Sequence, residues 1–99
     1  MNNNLGIILD PNSFKNIKEV VKKADNYNFH SAWVTELYRS SFEQLTFIAE
    51  ITKNIKIGSA VTLAFIRSPL ITAISAMDID SLSNGRLILG LGSGAINTN

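Results

Sequence analysis

The stretch Ser81-Leu-Ser-Asn-Gly-Arg-Leu-Ile-Leu-Gly-Leu-Gly-Ser-Gly94 decides the fold. Asn84-Gly85 suits the positions just past a helix, where φ is often positive and glycine adopts it without strain. Leu87-Ile-Leu-Gly-Leu91 is an uninterrupted apolar run, the pattern of a parallel strand covered on both faces. Gly92-Ser-Gly94 then opens a loop that a ligand can approach closely. In α/β sheets and barrels, sites are built at that carboxyl end of a strand.

The same alternation extends back to the amino terminus. Pro69 to Leu82 reads as the third helix, capped by Ser68, with proline at a first position that needs no amide hydrogen. Ile55 to Val61 reads as the third strand. Ser41-Phe-Glu-Gln44 has the form of a capping box and starts the second helix, whose Leu45, Ile48, Ala49 and Ile51 face inward. Ser31 to Thr35 is the second strand. Leu5 to Leu9 is the first, closed by Asp10-Pro-Asn12. Between these two strands, Ser13 caps a helix with Phe14, Ile17, Val20, Val21 and Ala24 on one face and Lys15, Lys18, Glu19, Lys22 and Lys23 on the solvated one. Asn26-Tyr-Asn28 ends that helix.

The order β-α-β-α-β-α-β with right-handed crossovers defines an α/β protein with parallel strands. It fits either a small open sheet or the first four strands of a TIM-barrel-like fold, in either case as a single domain.

Composition narrows the function. The chain has 99 residues, 45% hydrophobic and 17% charged, with a net charge of +1, which gives no reason to expect nucleic acid or an anionic membrane as partner. Without cysteine, disulfides and thiolate metal sites are excluded, and no metal is expected. Met1-Asn-Asn-Asn4 lacks the basic and apolar regions of a signal peptide, and no apolar run reaches about 18 residues. A soluble cytoplasmic protein is the resulting expectation.

The residues able to carry chemistry gather at strand ends. Glu36 directly follows the second strand; a carboxylate there positions a cofactor or takes part in proton transfer, or else pairs with Arg39 in a loop salt bridge or serves as a helix-capping charge. Arg67 either holds an anionic ligand or anchors its loop. His30 and Arg86 stand at strand amino ends, the stability face of a barrel, and Arg86 is expected to pair with Asp78 or Asp80. Gly90-Leu-Gly-Ser-Gly94 lacks the Gly-x-Gly-x-x-Gly spacing of a dinucleotide loop.

Ile55-Lys-Ile-Gly-Ser-Ala-Val-Thr62, Arg67-Ser-Pro69 and Leu82 to Gly94, taken in that order, resemble the luciferase-like monooxygenase superfamily. The likeness is strongest to its deazaflavin-dependent branch, that of the methylenetetrahydromethanopterin reductases. The resemblance implies a (β/α)8 barrel longer than this chain, of which residues 1–99 are expected to form a single partial (β/α)8-barrel domain. It also implies hydride transfer between coenzyme F420 (FMN in other branches) and a small organic substrate, with the cofactor carrying the redox chemistry.

By the same resemblance, Glu36 takes the place of an acidic residue beside the deazaflavin ring, and Leu37 replaces a histidine common there. Ala60-Val61 matches a non-prolyl cis peptide behind the ring, Thr62 is placed to hydrogen-bond the cofactor, and Gly92 and Ser93 line the pocket. Strands five to eight, which in the family supply much of the site, have no counterpart here. Self-association or a complementing half-barrel is therefore expected, because the first and fourth strands are nearly uncharged sheet edges. A non-catalytic assembly unit is the competing functional class.

Overall fold

The structure, a computed structural model, describes residues 4–10 and 13–93. Its elements are β1 (Gly6–Ile8), α1 (Phe14–Asn26), β2 (Ser31–Val34), α2 (Ser41–Ile51), β3 (Lys56–Ser59), β4 (Thr62–Leu63), α3 (Pro69–Leu82), β5 (Leu87–Ile88) and β6 (Leu91–Gly92). The main sheet has four strands in the order β1-β2-β3-β5, all parallel, and β4 and β6 form a second parallel pair. Pro11, Asn12 and Gly94, named above in the first and last loops, lie outside the described residues.

Local signals explain the helix ends. Ser13 accepts the Asn16 N–H at 3.1 Å, and Ser68 accepts that of Ile71 at 3.1 Å. Asn84 and Gly85 both take positive φ, 58° and 80°, as the turn after α3 requires. The second helix departs from expectation. Its cap is Ser40, whose side chain makes no capping bond, and Ser41 is the first helical residue. Ser41 and Gln44 do not cap one another, because the Ser41 amide goes to a distant carboxylate and Gln44 donates to the Thr35 carbonyl at 2.8 Å.

The third and fourth strands, expected to be continuous, are each interrupted. β3 and β4 are separated by Ala60-Val61, joined by a cis peptide bond, and β5 and β6 by Leu89-Gly90. The two breaks lie side by side. The Ser59 hydroxyl donates to the Gly90 carbonyl at 3.0 Å and accepts the Gly90 N–H at 3.2 Å. Only glycine permits this approach, since a Cβ at position 90 would lie 2.2 Å from the Ser59 carbonyl oxygen.

Strand order and crossover handedness place all three helices on one face of the sheet. That face holds the core: Ile17, Val21 and Ala24 of α1, Leu45, Ile48 and Ala49 of α2, and Ile79 of α3 meet Ala32, Val34 and Ile57. Pairing register puts Ile8, Trp33, Gly58 and Ile88 in one row on the opposite face. There Ile8 is 72% exposed and Ile88 37%. The expectation of strands covered on both faces is thus corrected, because helices wound on one side leave the other bare. One helical layer around a parallel sheet is the wall of a barrel, not of a doubly wound sheet.

Arg86 also departs from the reading of its sequence. It pairs with neither Asp78 nor Asp80. The guanidinium is buried and donates to the carbonyls of Ala49, Thr52, Ile55 and Ser83 and to the Thr52 hydroxyl, at 2.6–3.1 Å. Two of those carbonyls close α2, where a cation also complements the helix dipole. Asp80 accepts the Leu87 N–H instead.

Candidate functional site

At the opposite, carboxyl end of the sheet, parallel pairing brings together the loops that follow β2, β4 and β6. Glu36 leaves β2 and turns its carboxylate inward, with the side chain 6% exposed. A buried carboxylate must be paired and hydrogen-bonded, and this one is. Arg67 engages both oxygens, reaching Oε1 at 2.9 Å and forming an ion pair with Oε2. Oε1 also accepts the Leu63 N–H at 2.7 Å. Oε2 accepts the Ser41 N–H at 2.8 Å and the Ser41 hydroxyl at 3.0 Å.

Arg39, the partner foreseen for Glu36, instead rests its guanidinium over the Phe14 ring, 4.9 Å from the centroid. Arg67 lies in the same manner over Phe42, at 4.7 Å. Parallel topology explains the choice, since loops after successive strands open at the same end. A charge after the second strand and an opposite one after the third are neighbours, a signal available in the sequence once the strands are placed.

Burial pushes the Glu36 pKa up, but Arg67, the Leu63 amide and both Ser41 donors outweigh it and hold the value at about 2, below the ordinary 4.5. A depressed carboxylate stabilises the fold above its unfolded pKa and loses that contribution as pH falls toward its folded one. The melting-temperature gap between the parent chain and Glu36→Gln is therefore expected to be constant above about pH 5 and to close between pH 4.5 and 2. A gap that stays unchanged down to pH 2 would show that the carboxylate carries no such linkage.

Behind Glu36 runs a chain of buried hydroxyls. Ser41 Oγ contacts Thr62 Oγ1 at 2.9 Å, and Thr62 donates to Ser59 Oγ at 2.8 Å. Thr62 is fully buried and its hydroxyl is engaged within this chain, so it braces the wall from behind.

In front, a cleft of ≈ 450 Å³ is lined by Thr35, Glu36, Leu37, Ala60, Val61, Leu63 and Ser93. It unites Glu36, Ala60, Val61 and Ser93 among the residues singled out in the sequence. Gly92 sits behind Val61, where a Cβ would come within 2.9 Å of Val61 Cγ2. Thr35 and Leu63, which sequence reasoning passed over, complete the lining.

The front of the wall is largely apolar. Ala60 is small and exposed, and Leu37, Val61 and Leu63 are apolar. The amides of Ala60, Thr62, Leu63 and Ala64 donate to Val34, Gly90, Glu36 and Gly92 respectively. The Val61 N–H between them has no acceptor among the described residues. Among the described residues, no cationic side chain lines the cleft. Among the described residues no group of acidic, histidine or cysteine side chains could hold a metal, and no helix is long and apolar enough to cross a membrane.

A one-layered parallel α/β wall with its cleft at the strand carboxyl ends is the architecture of TIM-barrel enzymes. The chain belongs to the luciferase-like monooxygenase family, whose model matches residues 2–99. It is 39% identical over 80 residues to the 5,10-methylenetetrahydromethanopterin reductase of Methanopyrus kandleri, a match covering 79% of this chain and 23% of that protein. The Archaeoglobus fulgidus reductase is 38% identical over 76 residues, covering 75% of this chain and 23% of its own. The solved structure of the coenzyme F420-dependent tetrahydromethanopterin reductase from Methanopyrus kandleri superposes with a TM-score of 0.85 at 36% identity, over 95% of this chain and 28% of that one. The oxygenating constituent of a Pseudomonas putida 3,6-diketocamphane monooxygenase, solved with FMN, shares the fold with a TM-score of 0.84 at 22% identity, over 94% of this chain and 30% of its own. The chain thus spans about a quarter of the length of the curated relatives it matches.

Proposed function

We propose that this chain is the amino-terminal, ring-binding part of a coenzyme F420-dependent oxidoreductase acting on a small organic substrate. The observation that carries this reading is the cleft itself, which joins a small, flat Ala60-Val61 wall to Glu36 and Ser93 at one strand end. The likeness to F420-dependent reductases, at 36–39% identity, favours the deazaflavin over FMN. When bound, a deazaflavin supplies hydride transfer; the protein supplies position and electrostatics. Ala60 and Val61 would support the ring, with Leu37 and Leu63 flanking it. Glu36, held as a fixed anion, orients the wall.

The remaining contacts, including those to a phosphate tail, come from further (β/α) units. Two features support this. β1 and β5 are the edges of the main sheet, and a groove of ≈ 480 Å³ lined by Phe65, Thr72, Ala73, Leu89 and Leu91 lies against the fourth strand. It is the seat that a following crossover helix would take. The Thr72 hydroxyl within it is buried and without a partner. An uncovered chain is expected to self-associate through its sheet edges, and a sharp monomer at tens of micromolar in analytical ultracentrifugation would contradict that.

Titration of the chain with F420 and, separately, with FMN tests the function. Saturable change in the deazaflavin absorbance is the expected result. Saturation by FMN alone moves the protein to the flavin branch. Absence of binding to either, with or without the remaining strands of a reductase relative added in trans, leaves the assembly-unit reading and overturns the proposal.

A further inference from the structure

The ion pair at the cleft joins more of the chain than a surface salt bridge does. Through one carboxylate it connects the loop after β2, the first turn of α2 at Ser41, the β4 residue Leu63, and the loop that leads into α3. Arg67 adds a bond to the Ser40 hydroxyl at 3.1 Å and is itself held over Phe42. Its side chain is 16% exposed, so water competes little for the pair. Leu63 lies two residues beyond Val61, and both line the cleft.

From this geometry we infer that Arg67 is a positioning residue for the cleft: it locks Glu36 as the acceptor of the Leu63 amide and so sets the place of the Ala60–Leu63 wall. This rests on the ring-binding reading above and adds a division of labour to it. The lock occupies both oxygens of Glu36. Each Glu36 oxygen already accepts more than one donor, so proton exchange with the ligand is not the task of this carboxylate. The guanidinium gives three of its donors to Glu36 and Ser40, and its charge is balanced by the carboxylate it holds.

Arg67→Met keeps the length and packing of the side chain while removing its donors. Amide hydrogen exchange and F420 titration are then measured on the same samples. Expected are faster exchange at Leu63 and Ser41, unchanged exchange at Ile57 in the sheet interior, and at least about a fivefold loss of F420 affinity. Arg67→Lys, which offers a point charge without the two-pronged geometry, is expected to fall between. A merely stabilising pair would raise exchange throughout the chain or leave affinity untouched.

Unchanged Leu63 exchange in Arg67→Met overturns the inference, as does parental affinity in a variant whose Leu63 amide has been freed. If the parent chain binds no F420 at all, the ring-binding reading has failed, and the Leu63 exchange result still decides whether the lock exists. Should Arg67→Met not fold, Arg67→Lys carries the same comparison.

Discussion

Replacing Ala60 by Leu is expected to abolish deazaflavin binding while the fold persists. Ala60 is exposed on the cleft wall, and its bond to the neighbouring strand is made by the backbone, from its N–H to the Val34 carbonyl at 2.8 Å. A larger side chain there breaks no core contact and removes no hydrogen bond. It does place a branched group where the ring is to lie flat. An extra methylene in a close-fitting pocket already costs roughly 10–200-fold in discrimination, and Leu adds more than one, so a loss of about a hundredfold or more is expected. Absorbance titration gives the affinity, and circular dichroism with thermal melting reports the fold. Parental affinity in Ala60→Leu would remove Ala60-Val61 from the site.

Arg86→Leu should have the largest effect on stability. The guanidinium is buried and satisfies carbonyls from α2, the loop after it and the turn after α3, holding the amino end of the sheet together. Leu fills part of the volume but strands those acceptors away from water. Each buried acceptor left without its donor costs about 1–3 kcal/mol, and several at once are a large share of what a small domain possesses. Urea denaturation of the variant measures it, and a change under about 1 kcal/mol would mean that water reaches the abandoned carbonyls. Asp25 works nearby in a complementary way, its carboxylate accepting the amides of Lys53, Asn54 and Ile55. This end of the sheet is built for stability.

Element order, helix caps at Ser13 and Ser68, and the left-handed stop at Asn84-Gly85 are legible in the sequence because each depends on residues within one or two helical turns. Apolar spacing and a capping hydroxyl act locally, whatever the rest of the chain does. The parallel arrangement follows too, since short connections through a helix leave a strand little choice but to lie alongside its predecessor. The place of the cleft was foreseeable too, because parallel strands open all their loops toward the same end.

Tertiary structure alone decided which partner each charge takes and where the strands break. Glu36 chose Arg67, 31 residues away, over Arg39 close by, and Arg86 chose backbone carbonyls over two neighbouring aspartates. Gly90 and Ser59, also 31 residues apart, interrupt two strands at once through a contact that neither segment encodes by itself. Burial explains all three. An ionised or polar group taken out of water must find its partners within hydrogen-bond reach. Strand register and helix packing, not proximity along the chain, determine what lies there.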